Sequence, residues 1–159
     1  MAFKPAQRSE LYIKMALSGI SGSGKTWSAL LIAQGLADGG KIAVLDTEYA
    51  SSNLYDNLCK FDVDTMKEPY SVTKYINAIK EAYKAGYKVL IIDSITHEWS
   101  GVGGILDQHQ QLSSQTKNSF TTWAQMTPIH NKFIQTILQT PMHIICTMRA
   151  ETGYEVKEG

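Results

Sequence analysis

Gly19-Ile20-Ser21-Gly22-Ser23-Gly24-Lys25-Thr26 is the stretch on which the reading of this chain turns. It fits the pattern G-x-x-x-x-G-K-[ST]. An apolar, strand-like run, Ile13 to Ser18, precedes it, and a helix is predicted over Lys25 to Asp38, which is the setting the pattern requires. Glycines let the main chain curl so that successive N–H groups point inward, and the helix N-terminus adds partial positive charge. A polyphosphate is the natural guest of such a loop. Candidate nucleotide contacts are therefore Gly19, Ser21, Gly22, Ser23, Gly24, Lys25, Thr26 and the adjoining Trp27. Lys25 would place its ammonium between the β- and γ-phosphates, and the Thr26 hydroxyl would ligate a Mg²⁺ bridging them. The rival reading is a flexible turn that only caps a helix, and the flanking strand and helix weigh against it.

Outward from the loop, short apolar runs alternate with longer amphipathic ones, the pattern of a parallel sheet covered by helices. In the helix after the loop, Trp27, Leu30, Leu31 and Leu36 recur at helical spacing until Gly39 and Gly40 stop it. Lys41 to Asp46 is a second strand. Ser52 to Lys60 reads as a short helix, Val63 to Met66 as a weak strand, and Ser71 to Ala85 as a helix burying Val72, Tyr75, Ile76, Ile79 and Tyr83. Val89 to Asp93 is continuously apolar before its carboxylate, as a central strand buried on both faces should be. Glu98 to Leu112 is predicted helical, Ser113 to Thr121 a polar loop, Thr122 to Thr140 helical, and His143 to Met148 a strand. Pro128 marks either the start of that second helix or a kink in it.

At 159 residues, with 43% hydrophobic residues and no linker or repeat, the chain reads as one domain over 1–159 with its core at about 12–149. Fifteen basic and fifteen acidic residues cancel, so any polyanion contact must be local. No apolar run approaches the roughly 20 residues that span a bilayer. The start carries charges and no secretory h-region, and Cys59 and Cys146 make no disulfide framework, so a reducing cytoplasm is the expected setting. His97, His109, His130 and His143 lack metal-ligand spacing.

Asp93 closes Val89-Leu90-Ile91-Ile92 in the manner of a Walker B carboxylate, placed to hold a magnesium shell opposite Thr26. Ser94 follows where many such ATPases carry a glutamate, so the group that polarises water must come from elsewhere. Glu48, just past the second strand, would face the same sheet edge as the loop and is the candidate. Glu98 is the rival base, although a helix cap is its plainer role. Arg149 reads either as a solvated strand-end arginine or as a phosphate contact, in cis or across a subunit joint.

Together with the phosphate loop, the segments Asp46-Thr47-Glu48-Tyr49-Ala50, Tyr55, Ile91-Ile92-Asp93-Ser94 and Cys146-Thr147-Met148-Arg149 resemble the RecA-like P-loop ATPases. The resemblance runs from about Lys14 to Arg149 and is narrowest to small phage-encoded AAA-type ATP-binding proteins associated with single-strand annealing and recombination. It implies an α/β P-loop NTPase fold, a parallel sheet with helices on both faces. It also implies that Glu48 is the catalytic glutamate, that Tyr55 stacks on adenine, and that Thr147 occupies the position reporting the γ-phosphate state. Its sheet order sets the sensor strand between the loop strand and the Asp93 strand, leaving the loop strand at an edge. RecA-like cores continue with further strands beyond the point where this chain stops, so the resemblance implies C-terminal truncation or an edge covered by a neighbouring subunit. The implied partners are ATP, single-stranded DNA, and a homo-oligomer or recombination protein, with no membrane. His97 to Gly104 and Ser113 to Thr122 are the segments placed for DNA, with Lys117, Asn118, Trp99, Phe120 and Trp123 available, although cations are few. Two other functions fit the loop: a small-molecule kinase, which its missing arginine-rich lid disfavours, and a nucleotide-gated assembly module with negligible hydrolysis.

Overall fold

The computed structural model describes residues 11–116 and 119–150. Five strands, β1 (Lys14–Gly19), β2 (Ile42–Asp46), β3 (Asp62–Thr65), β4 (Val89–Asp93) and β5 (His143–Arg149), form one sheet in the order β1-β5-β4-β2-β3, every pair parallel. The helices are α1 (Lys25–Ala37), α2 (Val72–Lys84), α3 (Thr96–Ser100), α4 (Ile105–Thr116) and α5 (Ser119–Gln139), with a 3₁₀ turn at Ser51–Tyr55. The expected α/β fold is present, and β5 lies between β1 and β4 with β1 at the edge, as the resemblance implied.

Strand pleating sorts the core into two layers. Ile42, Val44, Val89, Ile91 and Ile145 point to α1, while Leu45, Leu90, Ile92, Ile144 and Cys146 point to α2 and α5. β2 and β4 are buried at every residue, which is why both read as continuous apolar runs. Opposite them, α2 buries Val72, Tyr75, Ile76 and Ile79, each contributing about 1.5–3 kcal/mol if wholly removed from water. Tyr83, expected on that stripe, is instead 47% exposed near the end of the helix.

The sequence reading of α1 also needs correction. Ala29, Leu30, Ala33 and Ala37 are its buried residues, and Trp27 and Leu31 are 43% and 46% exposed. Small side chains one turn apart let the helix lie close on the sheet, so the bulkier residues fall on its flank. The helix predicted at Ser52 to Lys60 is only the 3₁₀ turn followed by hydrogen-bonded turns. The single helix predicted from Glu98 to Leu112 is two, because Gly103 adopts φ +76° and packs where a Cβ would meet Pro69 at 2.5 Å. The polar loop predicted at Ser113 to Thr121 is helical up to Thr116 and again from Ser119, with Lys117 and Asn118 outside the described residues. Glutamine and serine there sit on an amphipathic helix that packs α4 on α5. Pro128 lies within α5, and the carbonyl it leaves without an N–H belongs to Ala124, which is exposed and can be hydrated. Among the described residues, no helix is long and apolar enough to cross a membrane.

Candidate active site

Parallel strands bring their carboxyl ends to one edge of the sheet, and the register fixes which residues meet there. Gly19 pairs with Arg149, Leu17 with Thr147, and Asp46 with Asp93. The loop leaving β1 curls through Gly22 at φ +76° and Gly24 at φ +80°, a left-handed conformation suited to glycine, before α1 begins at Lys25. Ser23 N–H closes the turn onto the Ile20 carbonyl at 3.3 Å.

A cleft of about 200 Å³ opens above this edge, lined by Ser21, Gly22, Gly24, Lys25, Thr26, Glu48, Ser51, Tyr55, Asp93 and Arg149. It therefore unites the phosphate-loop candidates with the carboxylates, the aromatic and the arginine singled out on separate segments. Gly19, Ser23, Trp27 and Thr147 do not line it. Gly19 underlies the loop, where an added Cβ would lie 2.6 Å from Ser23 Oγ. Trp27 stands outside the cleft with its ring edge-on to Tyr55, centroids 5.9 Å apart.

Lys25 Nζ donates to the carbonyls of Gly19 (2.9 Å) and Ile20 (2.8 Å). The Gly19 carbonyl accepts a second bond from Ala150 N–H at 3.0 Å. Thr26 Oγ1 donates to Asp93 Oδ2 at 2.6 Å, so a hydroxyl and a carboxylate oxygen, both hard donors, are adjacent. Thr147 is fully buried behind Asp93 and donates to Asp93 Oδ1, reaching the cleft only through that carboxylate. Burial raises the Asp93 pKa, against the hydroxyls of Thr147 and Thr26, which lower it. The Asp93–Ser94 peptide is cis.

Glu48 is positioned by a residue that the sequence reading quoted without a role. Asp46, fully buried, accepts from Glu48 N–H at 2.6 Å and from both the N–H (2.8 Å) and hydroxyl of Ser52. It thereby shapes the turn that carries Glu48 and Ser51 to the cleft. An aspartate closing a strand and bonding the amide two residues on is the available sequence signal, since aspartate favours such turns. Next to it, the Thr47 hydroxyl accepts from Ser94 N–H at 2.9 Å and lies 2.8 Å from His97 Nδ1, whose ring stacks on Tyr70.

Arg149 Nε donates to Glu48 Oε1 at 2.9 Å. That bond is the main reason the Glu48 pKa is lowered, and it raises that of Arg149. Glu98, the rival base, lies inside α3, 2% exposed and bonded by His130 Nδ1 at 3.1 Å, away from the cleft. Nor does it cap a helix from outside. Burial pushes its pKa up. In the segments placed for DNA, Trp123 is stacked on His109 (4.0 Å) and on Trp99 (6.0 Å), while Phe120 is 84% exposed.

Among the described residues, no three His, Cys, Asp or Glu gather as a metal cage. Thr26 and Asp93 nonetheless suit Mg²⁺, which is commonly held by one or two protein oxygens and completed by phosphate and water. A family model described as an AAA domain matches residues 11–158. No curated protein matches the chain.

Proposed function

The chain belongs to the AAA-domain family of P-loop NTPases, and from that premise we propose that it hydrolyses ATP with Mg²⁺ in the cleft above the sheet edge. The observation carrying this reading is the convergence of Lys25, Thr26, Asp93, Glu48 and Arg149 on one cleft. Backbone amides of Ser21 to Thr26 and the Lys25 ammonium receive the β- and γ-phosphates, and Arg149 adds a further cation. Thr26 and Asp93 hold the metal, with Thr147 orienting the Asp93 carboxylate from behind. Mg²⁺, when bound, neutralises charge on the phosphate oxygens. Glu48 orients a water in line with the γ-phosphorus and takes its proton as the new P–O bond forms and the bond to ADP breaks. Tyr55 offers its face to adenine, with Trp27 steadying that ring from the edge.

Coupling of this cycle to single-stranded DNA, through the α3 to α5 region, or to a second copy or a recombination partner, rests on the RecA-like resemblance. Its support in the structure is the exposure of Phe120 and the partial exposure of Trp99. ATP turnover measured with and without single strands, at rising salt, tests it, because a phosphate-backbone contact weakens as salt rises.

Lys25→Ala tests the site itself. The variant is expected to lose ATP binding in calorimetry and phosphate release in a coupled assay while retaining its circular dichroism spectrum. Unchanged affinity and an unchanged rate would end the assignment. Phosphate release that requires an added hydroxyl compound would point to the kinase reading instead.

A further inference from the structure

Arg149 stands between a carboxylate that it already bonds and the cleft that would receive phosphate. Its Nε is committed to Glu48 Oε1 at 2.9 Å, and the same residue lines the cleft with Lys25 and Thr26. A guanidinium grips phosphate best through a fork of two N–H groups, and the edge bearing Nε is half of one such fork. While Nε serves Glu48, that fork is closed to phosphate.

The backbone here is held by other main-chain and hydroxyl partners, whereas the side chain is tied through Nε to Glu48. Arg149 N–H donates to Thr96 Oγ1 at 2.9 Å, and Thr147 beside it accepts from Ile95 N–H at 3.0 Å. The Arg149 side chain is 43% exposed and that of Glu48 22%, so water reaches the pair, screens it and lets it exchange. Glu48 is held at its own N–H by Asp46, so releasing its carboxylate leaves its backbone in place. Paired to Arg149, Glu48 is a poor proton acceptor, with one oxygen occupied and its pKa lowered by that bond.

We propose that the Arg149–Glu48 pair is a latch opened by the γ-phosphate: a nucleoside triphosphate draws the guanidinium onto itself, and Glu48 is thereby freed to hold water. A diphosphate, lacking the terminal phosphoryl group, leaves the latch closed. The proposal rests on the cleft being the ATP site. It makes Arg149 a positioning residue for the base as well as a phosphate contact, and it ties the competence of Glu48 to the presence of the group to be attacked.

The test is a double-mutant cycle read by binding alone. ADP and a non-hydrolysable ATP analogue are titrated by calorimetry, with Mg²⁺ present, into the parent, Glu48→Gln, Arg149→Ala and the double variant. Both side chains reach solvent, so all four proteins should fold. Glu48→Gln is expected to tighten the analogue by roughly two- to fivefold, the range that breaking an exposed ion pair supports, with ADP unmoved. Arg149→Ala weakens the analogue and not ADP. In the Arg149→Ala background the gain from Glu48→Gln disappears. Equal tightening in both backgrounds would mean simple relief of charge repulsion and would overturn the latch. So would an analogue affinity that Glu48→Gln leaves unchanged, since Arg149 would then serve both anions together. Binding of neither nucleotide by the parent would remove the ATP site itself, a result distinct from both.

Discussion

Thr147→Val perturbs the site at a single atom. The substitution keeps the branched shape of a fully buried side chain and removes the hydroxyl that donates to Asp93 Oδ1. Asp93 is itself 2% exposed, so the lost donor is not replaced by bulk water, and among the described residues Thr26 is left to bond the carboxylate. A hydrogen bond to a charged group contributes about 1.5–3 kcal/mol, which is the expected loss near neutral pH. With a urea slope of roughly 2 kcal/mol/M the unfolding midpoint falls by about 1 M. The pH dependence follows from the raised Asp93 pKa. An acid whose folded pKa lies above its unfolded value stabilises the fold in its protonated form, and that contribution is lost as pH rises through the folded value. Removing Thr147's hydroxyl raises the folded value further. The gap between variant and parent is therefore smallest in acid, where the carboxyl is protonated in both, and widens toward neutrality. Urea unfolding with a chelator present, followed across the acid-to-neutral range from about pH 3 to about pH 8, measures this. Thr147→Ser should recover most of the loss. A loss that stays constant across that whole range, or none, would refute the reasoning, because the hydroxyl would then not be serving an ionised Asp93.

Asp46→Asn turns one of the acceptors holding Glu48 N–H and Ser52 into a donor. Turnover is expected to fall about tenfold to a hundredfold with nucleotide affinity kept, as for a displaced catalytic group, and a steady-state assay giving the parent rate would sink the idea. Glu98→Gln keeps an acceptor for His130 while removing a carboxyl whose pKa burial has raised, so its thermal midpoint at neutral pH should match or exceed the parent's. Glu98→Ala strands that donor, costing about 2–3 kcal/mol or roughly 5–10 °C, and a glutamine variant as unstable as the alanine one would contradict this.

The parts of the site legible in the sequence are those with a local spelling. The phosphate loop, and Asp93 at the end of a run buried on both faces, are contiguous patterns whose physics lies in neighbouring residues. Strand order, by contrast, came from resemblance alone, because no local signal says that the last strand inserts beside the first. Glu48 could be placed at the right edge of the sheet but not assigned its partner, since Arg149 is 101 positions away and meets it only through the register of three strands, β2, β4 and β5. Asp46 was overlooked as a scaffold because its three donors come from a turn that periodicity does not describe. Helical spacing grouped Trp27 and Leu31 with Leu30, but only Leu30 shares the buried face with Ala29, Ala33 and Ala37, because close approach to the sheet favours small side chains there. Glu98 looked available because carboxylates seldom lie inside, and only the fold brings His130 to it.

The doubly served carbonyl of Gly19 has a mechanical corollary. One of its donors, Ala150 N–H, is part of the framework, and the other, the Lys25 ammonium, sits at the tip of a swinging tether. Should the lysine depart for another oxygen, the carbonyl keeps a companion and the bend beneath the loop is not left thirsty. The cradle is thus braced from below by main chain, while the Lys25 cation that shares that carbonyl is hung on four methylenes and can be drawn to another oxygen.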